Sequence, residues 1–261
     1  MRLLARCDLT VDCPRPCPVV AMLRPRSGLA QWVVSERYAL DTGQRPREYE
    51  DAFGNACQRF LAPAGRTRIA VRSEVEVDER LAVDADAAPT PVDLLPDQVL
   101  VYLLQSRYCP SDKLEDQARA IAGQAAPGYA QVEAIRAWIR AHHAYRYGVS
   151  TVNTDALDTM AAKAGVCRDF AHVGVALCRA LRIPARIVVG YLYRLDPMDL
   201  HAWFEAFVGG RWYTFDATQE EARGGRIVLA YGRDAADVAF LSNYADLEVV
   251  DMQVGVERVD G

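Results

Sequence analysis

Residues 84–97, Asp-Ala-Asp-Ala-Ala-Pro-Thr-Pro-Val-Asp-Leu-Leu-Pro-Asp, divide a stretch patterned with period 2 from one patterned with helical period. Ahead of this segment, Leu3 to Val11 and Gln31 to Leu40 hold short β-favouring runs. Arg66 to Val77 alternates: Ile69, Val71, Ser73, Val75 and Val77 fall on one face, and Arg68, Arg72, Glu74 and Glu76 on the other. Gly54-Asn55 and Ala64-Gly65 punctuate these runs as turns. No stretch of 1–83 carries a long amphipathic helical pattern. The economical reading is a β-sandwich-like N-terminal domain, 1–97, with a Pro/Asp-rich linker at 84–97.

The second domain, 98–261, mixes helices with strands. Leu114, Ala118, Ile121, Ala122 and Ala125 follow helical spacing, with Ser111-Asp112 as a candidate N-cap. Val132, Ile135, Trp138 and Ile139 make a second stripe that ends near His142-His143. A third helix is predicted from about Cys167 to Leu181, stopped by Ile183-Pro184. Strands follow at Ala185–Tyr193, His201–Val208 and Arg211–Asp216. The fold class is α+β.

Composition excludes several functions. With 30 basic and 35 acidic groups the net charge is −5, and no basic stripe is present for nucleic acid. No apolar run approaches the roughly 18 residues of a membrane span, and Met1 to Asp8 lacks a signal-type core, so the expected compartment is the cytoplasm. Seven irregularly spaced cysteines argue against a disulfide framework. Cys13-Pro-Arg-Pro-Cys17 lacks a second ligand pair, so no metal and no cofactor are expected. Only Lys113 and Lys163 are lysines; the other 28 basic residues are arginines, which reads as codon bias.

Gly209-Gly210 suits a two-residue type I′ turn between the last two strands. Pairing Val208 with Arg211 then sets Ala206 opposite Tyr213 and Phe204 opposite Phe215 on an apolar face. The other face carries His201, Trp203, Glu205 and Phe207 against Thr218, Asp216, Thr214 and Trp212. His201 and Asp216 are thus diagonal neighbours, with Cβ atoms roughly 7–8 Å apart, and an Asp there can fix a histidine tautomer. Cys167 falls at the start of the third helix, where first-turn amides and the helix dipole favour a thiolate. Thiolate, imidazole and carboxylate are the parts of acyl transfer, and the Cys167 N–H is a candidate oxyanion donor.

The surroundings of these residues resemble the transglutaminase-like superfamily. The carrying segments are Gly165-Val-Cys167-Arg-Asp-Phe-Ala-His172, Cys178 to Arg186, Gly190-Tyr, Leu200-His201-Ala-Trp203 onward, and Arg211-Trp212 to Thr218. Cys to His spans 34 positions and His to Asp 15. The resemblance covers about residues 107–220. Leu61 to Ile69 and Ser106-Arg-Tyr-Cys-Pro110 resemble the N-terminal region of the bacterial members. The resemblance implies a papain-like core, a helix plus antiparallel sheet, with Cys167 as nucleophile, His201 as base and acid, and Asp216 as the orienting group. A further oxyanion stabiliser is also implied, and Tyr147, within Tyr145-Arg-Tyr-Gly148, is the candidate.

Other polar residues have blander readings. His172, five positions after Cys167 on one helix, points away from it and suits packing or hydrogen bonding better than catalysis. Asp169 either lines the cleft or caps the first helical turn. His142-His143 are solvent-facing or C-capping. Trp203 and Trp212 either wall the site from water or pack the sheet. Glu205 is either a supporting partner or a solvated charge. Gly232 to Val238 matches a recurrent segment of the family without an evident mechanism.

The expected function is thus a cysteine-dependent enzyme acting on a peptide or protein amide, with hydrolysis favoured over transamidation. The alternative is a non-catalytic binding or assembly module, against which the intact Cys, His and Asp set argues. A disulfide oxidoreductase is disfavoured because no C-x-x-C motif is present. Neither nucleic acid nor membrane is expected as a partner, and the oligomeric state is left open.

Overall fold

The computed structural model describes residues 1–28 and 30–259. The front of the chain forms strands β1 (Arg2–Cys13), β2 (Cys17–Ala21), β3 (Gln31–Leu40), β4 (Arg47–Glu50), β5 (Ala56–Ala62) and β6 (Gly65–Val77). The alternation read in the sequence sets their faces. Leu3, Cys7, Leu9 and Val11 of β1 and Ile69, Val71, Val75 and Val77 of β6 point into one core. Each fully buried apolar side chain there stabilises by about 1.5–3 kcal/mol.

Helices α1 (Asp97–Leu100), α2 (Glu115–Ala122) and α3 (Tyr129–His142) follow, then β7 (Ala144–Tyr145), α4 (Ala156–Ala162), β8 (Ala164–Gly165) and α5 (Cys167–Ala180). Helix α2 starts without a side-chain cap; Ser111-Asp112 instead form a separate 3₁₀ turn. The chain ends in β9 (Ala185–Leu192), β10 (His201–Val208), β11 (Arg211–Phe215), β12 (Arg226–Gly232), β13 (Leu241–Asn243) and β14 (Glu248–Arg258).

Three four-stranded sheets result, ordered β14-β1-β6-β3, β13-β2-β5-β4 and β11-β10-β9-β12, all paired antiparallel. The first two enclose the front core. The third packs against α5, which is buried along most of its length and so is apolar nearly all round. The result is an α+β fold with a β-rich front.

Two features depart from the sequence reading. Strands β13 and β14, which lie within the stretch assigned to the second domain, return to the front sheets, with Leu3 paired to Arg258 and Asp12 to Glu248. The physical reason is edge pairing: β1 would otherwise expose an unpaired backbone edge. The segment 84–97 is also seated on the second half. Ala87 O accepts the Tyr129 N–H, Ala88 O accepts the Gly209 N–H, and Ala87 is buried.

The front also covers the edge of the third sheet. Buried Gln31 exchanges two hydrogen bonds with the backbone of Val228, at 2.7 and 2.8 Å. Asn55 does the same with Tyr231, at 2.8 Å in both directions. Two side-chain amides thus stand in for a neighbouring strand along β12.

Candidate active site

The Gly209-Gly210 turn has φ of 57° and 78°, both in the left-handed region that this turn needs. The register is the expected one: Val208 pairs with Arg211, Ala206 with Tyr213 and Phe204 with Phe215. Phe204 fills the space beside Gly174 of α5, where an added Cβ would stand 2.5 Å from the ring. This contact sets the spacing between the helix that carries Cys167 and the strand that carries His201. Gly190 pairs with His201 across β9 and β10, and a Cβ there would stand 2.0 Å from Ile227 O.

His201 and Asp216 meet on the opposite face. His201 Nε2 lies 2.7 Å from Asp216 Oδ2, and both side chains are almost fully buried. Asp216 Oδ1 accepts the Thr218 N–H at 3.0 Å and the Thr218 hydroxyl at 2.7 Å. Arg226 Nη2 of β12 stands 2.9 Å from Asp216 Oδ2. Burial pushes the Asp216 carboxyl up, but Arg226, His201 and Thr218 together hold it well below the usual carboxylate range. Burial likewise pushes the His201 imidazole down; Asp216, aided by Cys167, outweighs this and raises it to about 9.

Cys167 opens α5, and its side chain neighbours His201. Because Nε2 faces Asp216, Nδ1 is the nitrogen free to exchange a proton with the thiol. A cleft of about 110 Å³ beside His201 is lined by Tyr145, Tyr147, Leu200, Thr218 and Gln219. The arrangement has the parts for acyl transfer: nucleophile, proton carrier and orienting carboxylate.

Several assignments change. Asp169 does not line the cleft: it is fully buried, accepts the Val166 N–H at 2.9 Å and pairs with Arg168, so it caps α5. Its carboxylate fits because Gly165 lacks a Cβ, which would stand 2.8 Å from Asp169 Cβ. Tyr147 lies at the cleft rim, 58% exposed. Tyr145 is the tyrosine whose hydroxyl lies beside Cys167, with the Tyr147 side chain against it. Burial and the nearby Cys167 raise the Tyr145 phenol.

The two tryptophans divide. Trp203 packs beside His201, with ring centroids 6.0 Å apart, and under Arg226. Trp212 stacks under Arg186 and, with Trp203 and Arg226, lines a second cavity of about 700 Å³. Glu205 is buried and paired with Arg186 at 2.6 Å rather than solvated.

The histidines outside the site are structural. His172 is buried, stacked on Tyr108 and bonded to the Ala235 N–H; burial pushes it down to about 4. His143 is buried rather than solvent-facing, and forms the C-cap of α3. The 232–238 segment now has a physical account. Asp234 accepts the N–H groups of Tyr108 and Ala236, and buried Arg179 donates to Arg233 O, so the segment braces α5.

Thr218 was readable as the register partner of His201. Arg226 and Tyr145 were not, because each comes from an element whose placement no local pattern sets.

Comparison with known proteins bears on the family and the fold. Residues 115–217 match the transglutaminase-like superfamily core, and residues 15–78 match the bacterial transglutaminase-like N-terminal region. The uncharacterized protein ML0607 of Mycobacterium leprae is 31% identical over 252 residues, covering 91% of this chain and 90% of that protein. The uncharacterized protein Rv2569c of Mycobacterium tuberculosis is 28% identical over 270 residues, covering 92% and 86%. A crystal structure described as "a Putative Cysteine Protease from Cytophaga hutchinsonii" is 33% identical, with a TM-score of 0.93 over 100% of this chain and 91% of that one. With the N-terminal region, the core and the full-length fold all in agreement, this chain belongs to the transglutaminase-like superfamily.

Proposed function

We propose that this protein is a cysteine-dependent amide hydrolase, with Cys167 as nucleophile, His201 as proton carrier and Asp216 as the orienting carboxylate. The observation that carries this reading is the buried His201 Nε2–Asp216 Oδ2 contact of 2.7 Å, with Cys167 at the start of α5 beside the same imidazole. In the reacting pair the thiol's proton is carried by His201, with Nδ1 toward the sulfur, and the thiolate sulfur attacks the amide carbonyl carbon. The C–N bond then breaks as His201 returns the proton to the departing amine, leaving a thioester on Cys167. Water attacks the thioester, gives a proton to His201 and releases the acid as the C–S bond breaks. This reading assigns the oxyanion role to the Cys167 N–H and to the Tyr145 hydroxyl, which lies beside Cys167.

Hydrolysis is favoured over transamidation because transfer to an amine needs a site closed to water. Here the cleft rim is formed by the largely exposed Tyr147. The test is Cys167→Ala, with peptide and glutamine-amide substrates and with iodoacetamide. Turnover and alkylation at this position should both vanish. Full amide turnover by the variant would overturn the mechanism. Release of ammonia or amine without incorporation of an added primary amine would support hydrolysis.

A further inference from the structure

Arg226 is a buried charge that the mechanism above leaves unused. We propose that Arg226 is a positioning residue of the triad, holding Asp216 as a carboxylate and setting how much of its charge reaches His201. This rests on the reading of Cys167, His201 and Asp216 as the reacting set.

The geometry carries the argument. Arg226 Nη2, at 2.9 Å, and His201 Nε2, at 2.7 Å, share one oxygen, Asp216 Oδ2, while the other oxygen is taken by Thr218. Arg226 comes from β12, on the far side of β9 from β10, so its reach to Asp216 spans the sheet. The guanidinium lies over Trp203, 4.9 Å from the ring centroid, and its Nε is held by Arg223 O at 3.1 Å.

Arg226 Nη1 and Nη2 are buried and neither makes a directed hydrogen bond. The 2.9 Å approach is therefore a charge contact. A buried guanidinium with unfilled donors is costly, and the Asp216 carboxylate beside it is what offsets that cost. What Arg226 supplies is a permanent positive charge beside Asp216.

That charge has a consequence for proton transfer. With His201 as the sole neutraliser of a buried carboxylate, the imidazolium would bind its proton too strongly to return it to the departing amine. Arg226 takes part of the carboxylate's charge and loosens the proton. Other groups face the pair from every side. Cys167 of α5, Thr218 and Tyr145 lie around the ring; Arg136 of α3 and Arg223 act on Asp216; Asp199 lies across the cleft. Among the described residues, Arg226 is the charged group besides His201 that makes an ion pair with Asp216.

The test follows the imidazole resonances by NMR from pH 5 to 11. The chain has four histidines, and a His201→Gln spectrum assigns the signal. In Arg226→Gln the His201 midpoint should rise by about one pH unit. The upper limb of the rate–pH profile should move with it, and kcat should fall more than KM rises. Arg226→Lys keeps the charge and should leave the midpoint near that of the parent. An unchanged midpoint in Arg226→Gln would overturn the proposal, as would an equal rise in both variants. If Arg226→Gln does not fold, a full-unit rise in Arg226→Lys overturns it alone. Because the midpoint is read without substrate, failure of the Cys167→Ala test would be seen separately from failure here.

Discussion

Raising the pH from 6.5 to about 9 should remove about 3 kcal/mol of folding stability through a single residue, His201. The ring moves from its ordinary 6.5 to about 9 on folding. A group raised on folding stabilises fully below its unfolded value, and that contribution is lost as pH climbs through the folded value. At about 1.4 kcal/mol per pH unit, the rise corresponds to the stated loss. The energy belongs to the His201–Asp216 pair and is counted once.

The assay is urea unfolding at a series of pH values, for the parent and for His201→Gln. Other groups can be separated. Burial pushes His143 and His172 down, so they act below 6.5. Burial pushes Cys7 up to about 11 and Cys109 to about 12, so they lower stability above about 8.5, equally in both proteins. The difference between the two stability curves should therefore shrink from pH 6.5 to 9. Parallel curves across that window would show that the buried carboxylate does not hold the imidazolium, and would refute the reasoning.

Two further outcomes are expected. Gly174→Ala should cost about 1–3 kcal/mol despite the better helix propensity of alanine, because Phe204 is buried and stacked on Phe215 and cannot retreat. Its melting temperature and its iodoacetamide rate at Cys167 should fall together; an unchanged rate would separate this contact from the placement of the thiol. Tyr145→Phe should slow acylation by about 100-fold, while Tyr147→Phe should have little effect. The reverse order in single-turnover kinetics would return the oxyanion role to Tyr147.

How much was legible depended on how local each constraint was. The β10–β11 register could be read because one Gly-Gly turn with two positive φ values sets every pair after it. That register puts His201 diagonal to Asp216. The start of α5 was legible for the same reason, since a short run places Cys167 at a helix entrance. Asp169 was ambiguous because an acid near a helix start can face a cleft or fold back on an N–H. Gly165 leaves room for the second choice.

Nonlocal partners left no such trace. Strand β14 is mostly exposed and weakly alternating, so its pairing with β1, from one end of the chain to the other, could not be inferred from its own pattern. The same holds for Gln31 and Asn55, whose partners lie well over a hundred residues away on β12. It holds above all for Arg226, an arginine among many until the sheet brings it to Asp216. By itself the sequence determined the alternating front, the helix entrance at Cys167 and the His201–Asp216 diagonal, because turn geometry and side-chain period act over a few residues. Tertiary structure decided which tyrosine adjoins Cys167, which charge balances Asp216 and how the last strand closes the front sheet, because those depend on how separate elements pack.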